Sequence, residues 1–211
     1  MSEREDTLRP DAVKKMVYLH GFGSSGASGT VAILRREFLG RGGAESVQVI
    51  APDLPVDPAD ALPMVKALVA KEQPDLVVGT SLGAAYAQQL RGVERICVNP
   101  SFGTSKLYSV LHVGKYKWLN ERRDGSVEFH VYKETIEHFA DMEAHQFDDW
   151  CEEDSLFCHG LFGTQDEWTI GWRPLFEKYY PGMSQTFEGG HRLNADLVHS
   201  VLIPAIRSLN L

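Results

Sequence analysis

The sequence predicts an α/β protein in which helices cover both faces of a mostly parallel sheet. Short apolar and β-branched runs alternate with segments of helical length, as in strands joined by crossover helices. Several runs are apolar at consecutive positions, such as residues 76–78, which is typical of strands buried on both faces. A chain of 211 residues has room for a sizeable core. We therefore expect a single domain spanning residues 1–211.

The strands and helices follow from apolar periodicity and from local start and stop signals. Val31, Leu34 and Phe38 recur at helical spacing, and Asp57-Pro58 is typical of a helix start. Gly92 is a plausible helix stop, and Pro204 predicts an interruption or kink in the last helix. The predicted strands are 16–20, 47–51, 76–79, 96–99, 156–163 and 185–188. The predicted helices are 28–39, 59–71, 82–91 and 194–209. No strand pair precedes Met16, which predicts a minimal sheet.

A long segment after the fourth predicted strand breaks this alternation. Residues 100–154 contain no clean buried strand, but they contain several aromatic residues and an acidic end. Their basic residues are Lys106, Lys115, Lys117, Arg122 and Arg123. An insertion of this size in a regular α/β pattern is usually a cap. The sequence therefore predicts a lid at about residues 101–154.

The composition excludes several classes of protein. Apolar residues make up 43% and charged residues 24%, which is close to the globular average and excludes a disordered or collagenous chain. The net charge of -8 disfavours nucleic-acid and anionic-lipid partners, and no apolar run is long enough to span a bilayer. The charged residues 1–6 lack the pattern of a signal peptide. The three cysteines include no C-x-x-C pair, so they predict neither a disulfide framework nor a zinc site. We expect a cytoplasmic protein, with no membrane partner, no metal and an oligomeric state that the sequence does not determine.

Residues 79–83, Gly-Thr-Ser-Leu-Gly, form a G-x-S-x-G motif between a predicted buried strand and a predicted helix. In this context the serine lies on a strained strand-to-helix turn, and the flanking glycines let neighbouring backbone pass close by. The hydroxyl is then presented above the sheet edge, near the positive end of the following helix. Ser81 is therefore the candidate nucleophile.

A candidate base and a candidate carboxylate follow Ser81 along the sequence. A serine nucleophile needs a general base, and the base needs a carboxylate that orients it. Asp166 follows the fifth predicted strand, and His191 follows Gly189-Gly190 after the sixth. The order Ser, Asp, His is that of α/β-hydrolases, and the carboxyl ends of parallel strands are where open sheets place their ligands. Glu167 is the alternative acid.

Two backbone amides are candidates for an oxyanion hole, which stabilises the tetrahedral intermediate of acyl transfer. One is the N–H of Leu82, the residue after the candidate nucleophile. The other is the N–H of Phe22, in the loop that follows the first predicted strand. We interpret His20 as a residue that shapes this loop, rather than as a base.

Six short pieces of the chain resemble a known family: residues 18–25, 51–55, 79–83, 98–100, 166–167 and 189–191. With them the chain resembles the α/β-hydrolases, and more narrowly the small bacterial YqiA/YcfP-like esterase family. The resemblance implies hydrolysis of acyl esters or thioesters by a serine triad, with no cofactor and a small-molecule substrate. Thr80 and Ala84 stand where the family tends to have Ser and Gly, and residues 163–165 replace its commoner turn before the acid.

Two alternatives remain open at this point. Gly21, Gly23 and Gly26 spell G-x-G-x-x-G, the fingerprint of a dinucleotide-binding Rossmann protein, with Asp53 as the nearest candidate for the ribose. That interpretation leaves the Ser, Asp and His motifs without a role. The second alternative is a non-catalytic hydrolase-fold binding protein, since a fold alone does not establish turnover.

The segment 101–154 carries further candidates. Its aromatic residues line an acyl pocket or form the core of the lid: Tyr108, Tyr116, Trp118, Phe129 and Tyr132. Its basic residues are candidates for contact with an anionic substrate such as a CoA thioester. His138, Asp141 and His145 share one helical face, where surface histidines amid charges are commoner than a metal site. The acidic residues of 148–154 are expected to be solvated.

Overall fold

The main sheet of the protein has six parallel strands in the order β2-β1-β3-β4-β7-β8. The computed structural model describes residues 13–39, 46–106, 111–209 and 211. The six predicted strands are confirmed, with ends shifted by no more than two residues. Their bounds are β1 Lys14–Leu19, β2 Val47–Ile50, β3 Leu76–Thr80, β4 Glu94–Val98, β7 Cys158–Gly163 and β8 Ser184–Phe187. The prediction that no strand pair precedes Met16 concerns residues 1–12, which lie outside the described residues.

The four predicted helices are present, and the chain forms further helices outside the predicted ranges. The helices are α1 Gly29–Phe38, α2 Pro58–Glu72, α3 Leu82–Gln88, α4 Lys133–His145, α5 Arg173–Tyr179, α6 Ala195–Leu197 and α7 Ile203–Ser208. A π-helical turn at Val198–Leu202 separates α6 from α7, so the interruption predicted near Pro204 is confirmed. Helix α3 ends three residues earlier than predicted, where Arg91 donates to the carbonyls of Gln88 and Leu90. Helix α5 was not predicted; Phe176 is its single fully buried side chain.

The sheet is buried on both faces, as its continuous apolar runs predicted. In β1, Val17 and Leu19 pack on the side of α2 and α3, whereas Met16 and Tyr18 pack on the side of α1 and α7. All four side chains are at most 3% exposed. This two-sided core fixes the positions of the loops at the carboxyl ends of the strands, where the candidate site lies.

The connection between β4 and β7 forms a small layer of its own. It contains an antiparallel hairpin, β5 Gly114–Lys117 with β6 Glu128–Val131, followed by α4. Neither strand was predicted, because both are short and largely half-exposed and so lack a buried run. The Leu119 N–H donates to the Gly23 carbonyl at 2.8 Å, and the Arg123 guanidinium donates to the Ala51 carbonyl at 2.9 Å. The connection is therefore fastened to the loops that follow β1 and β2.

In the described part of the chain, no helix has the length and apolar character needed to cross a bilayer.

Candidate active site

Ser81 occupies a strained backbone conformation between β3 and α3, with φ 55° and ψ -117°. Such a conformation is costly for a residue with a side chain and persists where the surroundings enforce it. A Cβ atom on Gly79 would lie 2.3 Å from the Gly83 carbonyl oxygen, and one on Gly83 would lie 2.1 Å from the Leu19 carbonyl oxygen. Both flanking glycines are therefore required for α3 to pack this closely against β3 and β1.

The structure brings Ser81, His191 and Asp166 into one hydrogen-bonded chain. His191 Nε2 lies 3.0 Å from Ser81 Oγ, and His191 Nδ1 lies 2.8 Å from Asp166 Oδ2. Because a carboxylate only accepts hydrogen bonds, Nδ1 carries the imidazole proton and Nε2 accepts from the Ser81 hydroxyl. Three residues that are far apart in sequence thus have the connectivity of a nucleophile, a base and an orienting acid.

The carboxylate of Asp166 is buried and surrounded by donors. It is 2% exposed and accepts hydrogen bonds from the N–H groups of Trp168 and Thr169 and from the Thr169 hydroxyl. Burial raises the pKa of Asp166, but the hydrogen bonds from His191 and Thr169 outweigh it and hold this pKa below its ordinary value. Glu167, the alternative acid, is exposed. The geometry therefore favours Asp166 as the partner of His191.

Sequence reasoning assigned no role to Asn99, which follows β4 in a left-handed conformation with φ 46°. Its amide nitrogen donates to the carbonyls of Gly190 and His191 at 3.1 and 3.0 Å, and its Oδ1 accepts from the Gly163 N–H at 2.7 Å. Asn99 thereby joins the loop that carries the histidine to the strand end that precedes the acid. The signal for this role in the sequence was a polar residue directly after a buried strand.

The candidate oxyanion donors lie on the two loops next to Ser81. Leu82 is the first residue of α3, where backbone N–H groups have no partner within the helix. In the loop after β1, a Cβ atom on Gly21 would approach the Ser81 Cβ to 3.2 Å, so this backbone lies against the serine just before Phe22.

His20 holds this loop in place. Its Nδ1 donates to the Gly21 carbonyl at 2.9 Å, and its Nε2 accepts from the Leu54 N–H at 3.0 Å. Both ring nitrogens are occupied by backbone groups, which agrees with the interpretation of His20 as a residue that shapes the loop.

The buried imidazole of His20 leads to a prediction about acid stability. Burial, assisted by the nearby Arg122 cation, lowers the pKa of His20 to about 4, from an ordinary value of 6.5. The unfolded chain therefore binds a proton that the folded chain resists, and stability falls as the pH drops from about 6.5 towards 4. The expected loss is about 3 kcal/mol. Urea unfolding across this range should show a shallower decline for His20→Gln, and parallel declines would contradict the assignment.

The glycine-rich loop after β1 has a packing role that explains its glycine content. A Cβ atom on Gly26 would lie 2.2 Å from the Ala51 carbonyl oxygen. Asp53 accepts from the N–H groups of Gly26 and Arg123 at 2.7 and 2.8 Å. The Gly-rich loop and Asp53 thus bind each other, and the strand order differs from the 3-2-1-4-5-6 order of dinucleotide-binding folds. These observations disfavour the Rossmann alternative.

The aromatic residues of the β4–β7 connection divide between two environments. Tyr116 and Phe129 stack on each other and meet the ring of Phe22 edge to face, at 5.8 and 5.5 Å between ring centroids. Trp118 lines a cavity beside the same loop. Tyr132 is 59% exposed, and Tyr108 lies outside the described residues. The connection thus supplies both a small aromatic core and one wall of a cavity.

Several charged residues of the connection have structural partners. Arg122 donates to the Leu54 carbonyl at 3.2 Å, and Arg123 bonds to the loop after β2.

The histidines of the helical face in this connection pair with carboxylates. His138 bonds to Asp57, and His145 lies 3.6 Å from Asp141. Among the described residues, no group of three or more His, Cys, Asp or Glu side chains is arranged to hold a metal ion.

One expectation about the acidic run is wrong. Asp154, expected to be solvated, is 5% exposed and forms a two-pronged ion pair with Arg95 of β4, at 2.6 Å from Nη2 to Oδ2 and 3.1 Å from Nη1 to Oδ1. The Arg95 side chain is fully buried. A buried arginine needs a buried carboxylate, and the turn before β7 provides it.

Comparisons with known proteins agree with this architecture. Residues 15–115 match the model of an uncharacterised protein family, UPF0227, whereas no curated protein matches the chain by sequence. Similar solved structures include Est1E from Butyrivibrio proteoclasticus, with 16% identity and a TM-score of 0.66 over 96% of this chain and 90% of that one. Mouse alpha/beta hydrolase domain-containing protein 10 has 16% identity and a TM-score of 0.63, over 94% and 90% of the two chains. The monoacylglycerol lipase of Paleococcus ferrophilus has 16% identity and a TM-score of 0.62, over 92% of this chain and 93% of that one.

Proposed function

We propose that this chain, which has an α/β-hydrolase fold and resembles the YqiA family over residues 15–115, hydrolyses acyl esters or thioesters through an acyl-serine intermediate. The observation that carries the proposal is the chain of hydrogen bonds from Ser81 through His191 to Asp166, at 3.0 and 2.8 Å. The monoacylglycerol lipase among the similar structures supports an ester substrate at the level of the fold.

The proposed reaction has two halves. Ser81 Oγ attacks the acyl carbonyl carbon while its proton passes to His191 Nε2, and the N–H groups of Phe22 and Leu82 hold the oxyanion. The carbon–oxygen or carbon–sulfur bond to the leaving group then breaks, and His191 returns the proton to the departing alcohol or thiol. A water molecule attacks the acyl-serine with His191 as base, which releases the acid and restores the Ser81 hydroxyl. Asp166 stays ionised and orients the imidazole throughout, as its lowered pKa allows.

We further propose that residues 101–154 act as a cap on this site within a single domain. The support lies in the hairpin β5–β6, which bonds to the loops after β1 and β2 and packs on Phe22. A cap in this position shapes the space that a substrate occupies next to the candidate oxyanion donors.

Labelling with a fluorophosphonate probe tests the nucleophile directly. The expected result is one covalent adduct on the tryptic peptide that contains Ser81, because only an activated serine attacks the probe at a useful rate. Ser81→Ala should abolish the adduct, and Ser126→Ala, which alters a half-buried serine bonded to Asp124, should keep it. An adduct that persists in Ser81→Ala would overturn the proposal.

A further inference from the structure

Trp168 presents an exposed indole ring to the imidazole of His191. The two ring centroids lie 4.9 Å apart, and the ring planes are inclined by 53°. Trp168 is 46% exposed and belongs to neither side of the two-sided core. Among the described residues, His191 supplies the one aromatic ring that the indole contacts. The indole therefore packs on the candidate base rather than in the core.

The turn after β7 fixes the position of the indole. Asp166 Oδ1 accepts from the Trp168 N–H at 3.0 Å and from the Thr169 N–H at 3.3 Å. The Ile170 N–H donates to the Asp166 carbonyl at 3.1 Å. The carboxylate that binds His191 therefore also closes the turn that carries Trp168.

The loop that carries His191 is held to the strand end before this turn. The Gln165 N–H donates to the Gly189 carbonyl at 2.9 Å. A Cβ atom on Gly163 would lie 2.5 Å from the same carbonyl oxygen, so the two backbones meet at a distance that only glycine allows. The indole and the imidazole are thus placed against each other by two loops that are bonded together.

The charge of His191 changes during the proposed reaction. The imidazole is neutral while its Nε2 accepts from the Ser81 hydroxyl, and it becomes an imidazolium when it takes the proton. A cation within about 6 Å of the centroid of an aromatic ring is attracted by the ring face, and indole is the strongest of the aromatic side chains in this respect. The indole therefore interacts more strongly with His191 in the transition state than in the resting enzyme, which is the condition for lowering a barrier.

Two other described groups contact the imidazole, Asp166 at Nδ1 and Ser81 at Nε2. Glu167 and Arg192, which are adjacent in sequence to the acid and the base, are exposed, so solvent screens their charges. The His191 side chain itself is 19% exposed. Attraction between a cation and an aromatic ring is stronger in such a partly desolvated place than at an exposed site.

We propose that Trp168 is a positioning residue of the candidate active site, which stabilises the His191 imidazolium through its indole ring in both halves of the reaction. The proposal rests on the proposed esterase function, because the imidazolium forms only when His191 acts as the base. It gives the turn after β7 two contributions to the same imidazole, the carboxylate of Asp166 and the indole of Trp168.

The pH profile of p-nitrophenyl butyrate hydrolysis tests the proposal. Trp168→Leu keeps an apolar side chain beside His191 and removes the aromatic ring. On the alkaline plateau of the profile, kcat/KM should fall about 3- to 5-fold. The midpoint of the acid limb should move to lower pH by about 0.5 unit, because the protonated imidazole of the free enzyme loses the same stabilisation.

The direction of that movement separates the proposal from two simpler roles. If the indole served only to support the fold of the turn, the plateau would fall and the acid limb would stay where it is. If it served only to cover the imidazole against water, the limb would move to higher pH, because water stabilises the charged form. Either result would overturn the proposal.

Two further variants serve as controls. Trp168→Phe keeps an aromatic ring, so its plateau and its acid limb should lie between those of the wild type and Trp168→Leu, and a profile equal to that of Trp168→Leu would contradict the proposal. Leu156→Ala removes exposed apolar surface from the turn before β7 and should leave the profile unchanged. The rate at which a fluorophosphonate labels Ser81 should follow the same order, since it depends on the same base.

The outcomes also separate this proposal from the esterase function. If Ser81 is labelled and the ester is hydrolysed, but Trp168→Leu has the plateau and the acid limb of the wild type, the role of Trp168 is wrong and the esterase function stands. If Ser81 takes no label and the ester is not hydrolysed, both are wrong.

Discussion

Replacing Ser81 with alanine is expected to lower kcat/KM for p-nitrophenyl butyrate by about 10,000-fold or more, with the fold retained. The variant removes the only oxygen that lies 3.0 Å from His191 Nε2 in the described site. Asp166→Asn should cost about 10,000-fold as well, because a neutral amide no longer fixes the proton on Nδ1. Steady-state hydrolysis, with circular dichroism as a check on folding, measures both.

The combination of these variants sharpens the test. If the three residues act as a unit, Ser81→Ala with Asp166→Asn should be no slower than Ser81→Ala alone. Glu167→Gln is the matched control for Asp166→Asn, since its side chain is exposed and adjacent in sequence; its activity should stay within about two-fold of the wild type. Loss of activity in Glu167→Gln, with Asp166→Asn still active, would exchange the roles of the two carboxylates.

Asp154→Ala is expected to lower the free energy of unfolding by about 3 to 5 kcal/mol. It removes the carboxylate that pairs with the fully buried Arg95 and that also accepts from the Gly92 N–H at 3.0 Å. The guanidinium would remain in the core with only the carbonyls of Leu90 and residue 154 as partners, so its charge would be uncompensated.

Two further variants isolate the cause of that loss. Asp149→Ala alters an exposed carboxylate 3.8 Å from Lys66 and should change stability by no more than about 0.5 kcal/mol. Arg95→Met combined with Asp154→Leu removes both charges and should recover most of the stability that Asp154→Ala loses. Urea denaturation of all three provides the comparison. Equal effects of Asp154→Ala and Asp149→Ala would show that burial of the pair has no energetic weight.

The sequence predicts features whose cause is local. Ser81 is recognisable because the strained turn needs glycine on both sides, and the main-sheet strands because burial on both faces demands consecutive apolar residues. The hairpin β5–β6 escapes prediction because its strands are short and half-exposed, so that they lack both signals. The same reasoning applies to helix α5, which has a single fully buried side chain.

Features whose cause is tertiary do not appear in the sequence. Asp154 lies in a run of acidic residues, and only the pairing of β4 with β7 shows that Arg95 needs its carboxylate. Asn99 and Thr169 are ordinary polar residues until the loops after β4, β7 and β8 meet at one edge of the sheet. Local motifs thus identify the candidate site residues, whereas the residues that support them are recognised only once the pairing of the strands is known.

The hydrogen bond that joins the β4–β7 connection to the loop after β1 also bears on how the protein would discriminate between substrates. Leu119 bonds to Gly23 directly after Phe22, and the aromatic rings of the hairpin pack on Phe22 itself. The connection and the candidate oxyanion loop therefore form one mechanical unit. An acyl chain that displaced the hairpin would carry the Phe22 N–H with it, so a poorly fitting chain would be penalised in the chemical step, in kcat, as well as in binding.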